Sequence, residues 1–373
     1  MSKYKDQKIF SKIFKLILIN FSILFILLII LEFSTRTAIG IKNCINKSCD
    51  FTLIKSIIIK DDFVSKNLEI SEIDEVYGYK LSKNFDKIIN AHGWDNIRLS
   101  TDKDGLRHNE IEIKRDKQTI LAVGDSYTLG EEVENSDTWA SCLQSKTKIR
   151  VDNAGVFGFG TLQSLLRANF FIKKYQYSTL IFSILVDNDF NRDTYSFRSG
   201  FSKPYLKKAN NNITIVKPRD HYRLGTKLNP DKNIFYLISR YSFIYNYLSN
   251  NLDFLPNHNY DRLTIKGDQS ANVTEIIPWI IDKYSQTKIK NKIILLQYAP
   301  NLEDKSVINE RNFIKKIIKK YENIFLIDTF QTLKNNKEIK EEKLWSPHHT
   351  PLGNRLVCEE IYKFFLNNLI EFN

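Results

Sequence analysis

The stretch from Thr119 to Gly130, TILAVGDSYTLG, governs how the rest of the chain is read. Its apolar, β-branched start is a buried strand, and the strand stops at Gly124-Asp125-Ser126 with a small hydroxyl at a sharp turn. A serine in that place is either an ordinary cap for the following helix or an exposed nucleophile, and this stretch alone leaves both readings open.

Similar strands recur along the chain. KIRVDN (148–153), TLIFSILV (179–186), NKIILLQYA (291–299) and NIFLIDT (323–329) alternate with helical patterns at about Asp137–Thr147, Thr161–Lys174 and Asn312–Tyr321. Near-continuous apolar strands alternating with helices predict an α/β fold, with a central parallel sheet covered by helices on both faces. The 42% hydrophobic and 13% aromatic content in 373 residues supports a large core and excludes global disorder. The formal charge of +12 is carried by lysines scattered among Ile and Asn, so no nucleic-acid partner is expected.

The N-terminus is different in kind. Lys3, Lys5, Lys8, Lys12 and Lys15 precede Leu16–Leu31, which is apolar except for Asn20 and Ser22. As a helix, Phe14–Phe33 spans roughly 30 Å, the thickness of a bilayer core. The predicted organisation is a basic cytoplasmic tail (1–12), one transmembrane anchor (13–33), a juxtamembrane segment (34–115) and a main domain (116–373) with an insertion at about 190–270. The basic flank places the main domain outside the cytoplasm. A cleaved signal peptide is the rival, but the apolar run is long and EFSTRTAIG offers no convincing cleavage site. Of the four cysteines, Cys44 and Cys49 either pair or stay free, while Cys142 and Cys358 read as small buried core residues. No metal-ligand spacing is present, and neither metal nor cofactor is expected.

In parallel sheets ligands bind beyond the carboxyl ends of the strands. The first strand end carries Asp125-Ser126, the second the glycine-rich NAGVFGFGT (153–161) with Gly158, and the third VDND (186–189) with Asn188. Each pair is separated by about one βαβ unit, so neighbouring strand ends can gather all three at one pocket. Together they offer a hydroxyl, a backbone N–H and a side-chain amide, the parts needed to attack an ester and hold the oxyanion. Of the six histidines, His92, His108, His221 and His258 lie in polar or irregular stretches. His348 and His349 precede a helix capped by Thr350 with Pro351 at its first position, and either offers an imidazole base for a serine.

These blocks, GDSY, NAGVFGFGT, VDND and HHTPLGNRLV in order, resemble the SGNH hydrolase family, also called GDSL-like esterases and lipases. The resemblance covers about Leu99–Leu366, including GLRHNE, and is strongest to membrane-anchored bacterial members. It implies a three-layer α/β/α, flavodoxin-like fold, with Ser126 as nucleophile and the Ser126 N–H, Gly158 N–H and Asn188 amide as oxyanion hole. The family histidine lies five residues before the helix glycine, which selects His348 from Gly353 and leaves His349 as a neighbour. The chain departs from the family pattern at the acid: Trp345 and Ser346 stand where an aspartate is usual. A backbone carbonyl or Ser346 is the expected substitute, with Asp328 a further candidate and Asp125 a supporting residue.

The implied activity is cleavage of acyl esters of an envelope glycan or lipid through an acyl-enzyme. The alternatives are O-acyl transfer, such as O-acetyl transfer to a polysaccharide, at the same site, or a catalytically silent binding or assembly protein. The expected partners are the membrane, through the N-terminal helix, and an acyl-ester substrate, with carbohydrate among the candidates; the oligomeric state is left open. The insertion contains Tyr195, Phe197, Phe201, Tyr205, His221, Tyr222 and an aromatic helical pattern from Ile234 to Leu248. It reads equally as a wall over the pocket or as a packed structural extension.

If the N-terminal helix spans the bilayer, carbonate washing leaves the protein in the membrane pellet, and a reporter fused at its carboxyl terminus is active outside the cytoplasm. A soluble product beginning near Ile39 would identify the segment as a signal peptide.

Overall fold

The computed structural model describes residues 2–46, 70–91, 94–198, 201–210, 212–218, 242, 244–245, 248, 264–336 and 343–368. The chain divides into two compact units, Met1–Val64 with Gly225–Asn259, and Ser65–Leu224 with Tyr260–Asn373. In the first, helix α1 runs from Ser2 to Asn46. Its stretch Lys12–Ala38 is long and apolar enough to cross a bilayer, and none of its most apolar window is buried. Glu32 ends that apolar run, held by Arg36 at 2.6 Å and accepting the Ser242 hydroxyl and the Ile244 N–H, each at 3.0 Å.

The second unit is built on a five-stranded sheet. Its strands are β5 (Ile120–Val123), β6 (Val151–Asn153), β7 (Thr179–Leu185), β8 (Asn291–Gln297) and β9 (Phe325–Asp328). They lie in the order β9-β8-β7-β5-β6 and every neighbouring pair is parallel. All five correspond to the apolar runs identified in the sequence. Those runs are continuous because both faces are covered. Ile120, Ala122, Ile181, Ile293, Leu295 and Ile327 pack on one face against helices α3 (Trp139–Thr147) and α9 (Pro351–Asn367). Leu121, Val123, Leu180, Phe182, Ile184, Ile294 and Leu296 pack on the other against α4 (Thr161–Lys174), α6 (Val273–Ser285), α7 (Lys305–Ile318) and α8 (Phe330–Asn336). Each fully buried aliphatic side chain stabilises this arrangement by about 1.5–3 kcal/mol.

Three differences from the sequence expectation have local causes. Helix α7 begins at Lys305, well before Asn312, because Asp304 takes the extended backbone of an N-cap and the apolar stripe already includes Val307. Cys358 is buried, as expected, and Cys142 only partly so, but they form a disulfide with Cα atoms 6.1 Å apart, joining α3 to α9. Helical periodicity placed each cysteine on an inner face; only the packing of those two faces brings them together. In the insertion, Phe197, Phe201 and Tyr205 are buried, and Phe201 stacks on Tyr79 with ring centroids 4.5 Å apart. Here the aromatics are core rather than wall. Cys49, His92, His221, Tyr222, His258 and most of the 234–248 pattern lie outside the described residues.

Strands β1 (Ser71–Asp74) and β2 (Gly78–Leu81) form one hairpin, and β3 (Asp86–Ala91) and β4 (Trp94–Ser100) another. Tyr79 of β2 donates its hydroxyl to the Phe157 carbonyl at 2.8 Å, and its ring lies between Phe157, Phe159 and Phe201. The segment before the main domain thus buttresses the glycine-rich loop.

The disulfide closes a sequence separation of 216 residues. Cys142→Ala with Cys358→Ala is expected to lower stability by about 2–4 kcal/mol, read as a shift in the denaturation midpoint, and reductant should do the same to the native chain. An unchanged midpoint would remove the cross-link from the account of how α9 is held.

Candidate active site

The chain order of strands around β5 creates a topological switch point. From β5 the chain steps outward to β6, then crosses back to β7 on the opposite side, so the connections diverge at the carboxyl edge of β5. Ser126 follows β5, Gly158 follows β6 and Asn188 follows β7. All three predicted donors therefore sit on adjacent strand ends of one sheet edge.

The cap of the turn after β5 is the neighbour of the serine. Asp125 is the cap: its Oδ1 accepts the Tyr127 N–H at 2.9 Å, at the start of a single turn, α2 (Ser126–Leu129). Ser126 occupies the first position of that turn and is buried, with its Oγ donating weakly to Asp125 Oδ2 at 3.4 Å. The turn is held from two sides. Asn153 donates to the Thr128 carbonyl at 2.9 Å, and the Trp139 indole donates to the Tyr127 carbonyl at 3.2 Å. Gly158 has φ 65°, the left-handed backbone that glycine adopts without steric cost, and is half-buried. Asn188 is also half-buried and its side chain caps nothing. The turn before it is shaped by α7, where Glu310 accepts the Asp187 N–H at 2.7 Å and Ser306 donates to the Asp187 carboxylate at 2.7 Å. Among the described residues, the Ser126 N–H, the Gly158 N–H and the Asn188 amide donate to no protein acceptor.

Behind these donors lies a buried ionic network that reading the sequence did not single out. Helix α5 is one turn, Asp189–Arg192. The Arg192 Nη1 group reaches Asp125 Oδ2 at 2.9 Å, the Phe159 carbonyl at 2.8 Å and Asp189 Oδ1 at 2.8 Å. Burial and the charge of Asp125 push the Asp189 carboxyl well above the usual carboxylate range, against the opposing pull of Arg192. One helical turn after Asn188 was the available signal, but an arginine at that spacing has no distinctive pattern.

The histidine pair is carried by the loop entering α9. Thr350 caps that helix by accepting the Gly353 N–H at 3.3 Å, with Pro351 at the first position, as expected. Gly353 is required by close approach, since a Cβ there would lie 2.8 Å from His349 Nδ1 and 2.5 Å from the Leu344 carbonyl. Asn354 donates to the His349 carbonyl at 3.0 Å and accepts the Trp139 N–H at 3.1 Å, tying this loop to α3. The two imidazoles have opposite surroundings. His349 is 2% exposed, neither ring nitrogen has a hydrogen-bond partner among the described residues, and its ring stands edge-on to Tyr127 at 4.8 Å. Burial, reinforced by His348, pulls its pKa down to about 3.

His348 lies between two carboxylates. Its Nε2 is 3.2 Å from Glu131 Oε2, and its Nδ1 is 3.3 Å from Glu132 Oε1, close but off the line of a good hydrogen bond. Burial opposes the imidazolium, yet the charge of Glu131, the contact and charge of Glu132, and the charge of Asp125 outweigh it and raise the pKa. Both glutamates come from the loop just after α2. That loop is pinned by Arg107 of the GLRHNE segment, which donates to the carbonyls of Leu129 at 2.9 Å, Val133 at 2.6 Å and also Gly130. Acidic side chains five and six residues after the serine were legible in GDSYTLGEE, but their direction was not.

The other acid candidates point elsewhere. Asp328 is held by the Tyr298 hydroxyl at 2.8 Å, Arg311 at 2.8 Å and Lys315 at 3.1 Å. The Ser346 N–H donates to the His348 carbonyl at 2.7 Å, so Ser346 shapes the loop through its backbone. The structure records no hydrogen bond from Ser126 to either histidine among the described residues. Glu131, Glu132 and His348 each offer one donor atom, all within 4.8 Å of one another, a set able to hold a divalent cation.

No protein-family model and no curated protein matches the sequence. Solved structures similar to this chain are GDSL-family lipolytic proteins and esterases. A G-D-S-L lipolytic protein from Veillonella parvula is 15% identical, with 67% of this chain and 98% of that one covered and a TM-score of 0.39. A lipolytic protein of the same family from Desulfitobacterium hafniense is 13% identical, covering 66% and 98%, with a TM-score of 0.38. The psychrotrophic esterase EstA from Pseudoalteromonas sp. is 13% identical, covering 68% and 100%, with a TM-score of 0.35.

The two histidines give opposite pH effects on the fold. Contacts of His348 with the glutamates stabilise below the ordinary pKa of about 6.5 and are lost as pH rises through its raised folded value. His349, held neutral down to about 3, costs stability as pH falls below about 6.5. An activity that needs neutral His348 should rise with pH through a midpoint above the ordinary histidine value. Glu131→Gln or Glu132→Gln should move that midpoint downward in kcat/KM profiles, and an unmoved midpoint would separate the glutamates from the base.

Proposed function

We propose that this chain is a membrane-anchored serine ester hydrolase of SGNH type, acting on acyl esters of an envelope glycan or lipid. The observation that carries the reading is the strand order β7-β5-β6, which gathers Asn188, Ser126 and Gly158 at one sheet edge beside the switch in connection direction. In the proposed reaction, Ser126 Oγ attacks the acyl carbonyl carbon while His348 takes the hydroxyl proton. The tetrahedral oxyanion is held by the Ser126 N–H, the Gly158 N–H and the Asn188 amide. Collapse breaks the ester C–O bond, and the His348 proton passes to the departing alcohol. Water, activated by the same histidine, then releases the acid and regenerates the serine.

Glu131 and Glu132 stand in for the absent family aspartate. A carboxylate beside the imidazole stabilises the charge that develops during attack, and two of them do so more strongly, at the expense of the unprotonated fraction present near neutral pH. For Ser126 to pass its proton to His348, its hydroxyl must turn from Asp125 and one imidazole nitrogen must exchange its glutamate for the serine. The resting Ser126–Asp125 contact favours a second reading, a catalytically silent binding protein. Export is supported by the basic flank before the apolar helix and by the Cys142–Cys358 disulfide, a bond that persists in oxidising compartments.

A fluorophosphonate probe on the full-length protein in detergent should label Ser126. Ser126→Ala should abolish labelling and hydrolysis of p-nitrophenyl acetate, while the melting temperature stays within a few degrees. His348→Ala should remove activity and His349→Ala retain most of it; the reverse result would reassign the base. Absence of labelling in the native chain would favour the silent reading, and acyl transfer to added sugar in preference to water would make the protein an O-acyltransferase.

A further inference from the structure

Each acceptor on Arg192 is the immediate chain neighbour of a proposed oxyanion donor. Asp125 precedes Ser126, Phe159 follows Gly158 and Asp189 follows Asn188, and all three converge on one nitrogen, Nη1, at 2.8–2.9 Å. The geometry points to Arg192 as the positioning residue of the oxyanion hole, a single guanidinium that sets the spacing of its three donors. This inference rests on the serine-hydrolase reading above.

Two physical effects follow from the arrangement. The first is geometric. Three loops from three different strands share this one nitrogen, and an oxyanion donor displaced by a few tenths of an ångström loses much of its value in a water-poor site. The Nη1 group has two hydrogens for three acceptors, so the contacts are shared, and moving one loop weakens its share at once. The second effect is electrostatic. Asp125 Oδ2 lies beside the Ser126 hydroxyl, and an uncompensated carboxylate there would repel the negative charge that forms during attack. Arg192 at 2.9 Å supplies the compensating charge.

The arginine is itself held in place. It is 6% exposed, its N–H donates to the Asn188 carbonyl at 3.1 Å, and its own carbonyl accepts from the buried Lys203 ammonium at 2.6 Å. The adjacent Asp193 accepts the Leu162 N–H at 3.0 Å and also the Thr161 hydroxyl, locking α5 to the start of α4. The guanidinium therefore belongs to a rigid frame rather than to a surface ion pair.

The test compares Arg192→Lys and Arg192→Met with Arg167→Met in the full-length protein. Arg167 is an equally buried guanidinium that donates to the Ala154 and Gly105 carbonyls, each at 2.9 Å, and to no acceptor adjoining a proposed donor. With p-nitrophenyl acetate as probe, both Arg192 variants should lose roughly a hundredfold in kcat with little change in KM, the signature of weakened transition-state stabilisation. Arg167→Met should lower the melting temperature comparably yet keep kcat within a few-fold. In an Asn188→Ala background the Arg192→Lys effect should shrink, because one of the donors it positions is already gone. Equal losses of kcat in Arg192→Lys and Arg167→Met, or full additivity with Asn188→Ala, would overturn the assignment. If Arg192→Met does not fold, Arg192→Lys alone carries the comparison. Failure of native Ser126 to react with fluorophosphonate would instead overturn the hydrolase reading, and the role of Arg192 with it.

Discussion

Burying a guanidinium is costly unless its charge is paired, and that constraint organises the centre of this protein. Arg192 sits where the loops after β5, β6 and β7 meet, and it receives one acceptor from each. Arg192 is 6% exposed, so water is a poor exchange for these partners. The three loops are consequently held together by the acceptors they share on its Nη1, while its buried Nε has no partner among the described residues. Removing one acceptor would leave a buried charge short of partners, so changes at Asp125 or Asp189 are expected to be felt across the whole sheet edge.

A second frame holds the histidine loop against the nucleophile turn. Asn354 bonds the His349 carbonyl and the Trp139 N–H, and Trp139 in turn bonds the Tyr127 carbonyl next to Ser126. One turn further along the same two helices, Cys142 and Cys358 join α3 to α9. Arg107 completes the frame by gripping the carbonyls of the loop that carries Glu131 and Glu132. The two histidines end up in contrasting environments although they are adjacent in sequence. Successive side chains in an extended loop point in different directions, so one is packed under a helix and the other meets two carboxylates.

The chemical character of the site follows from these two frames. On one side, donors without acceptors line a sheet edge; on the other, an imidazole is flanked by acids. Asp125 links the sides, because its carboxylate caps the nucleophile turn, contacts Ser126 and pairs with Arg192. The same carboxylate contributes to raising the pKa of His348, so the ionic network and the candidate base are electrostatically coupled.

What could be read from the sequence was whatever depends on local pattern. The five strands announced themselves as apolar runs because both sheet faces are buried, and Thr350-Pro351 marked the start of α9 because capping is a short-range effect. The order of the blocks around Ser126, Gly158, Asn188 and His348 was legible for the same reason. The partners of those residues were not. Arg192, Arg107, Glu131 and Glu132 act through contacts that span loops or elements distant in the chain, and a charged residue in a polar stretch looks the same whether it faces solvent or a buried ion. The Cys142–Cys358 bond likewise joins positions 216 residues apart, and no local pattern records that separation. Sequence alone determined the layers and the residues available for chemistry; tertiary structure decided which charges neutralise one another, because Coulomb and hydrogen-bond energies depend on distances in space that chain spacing does not encode.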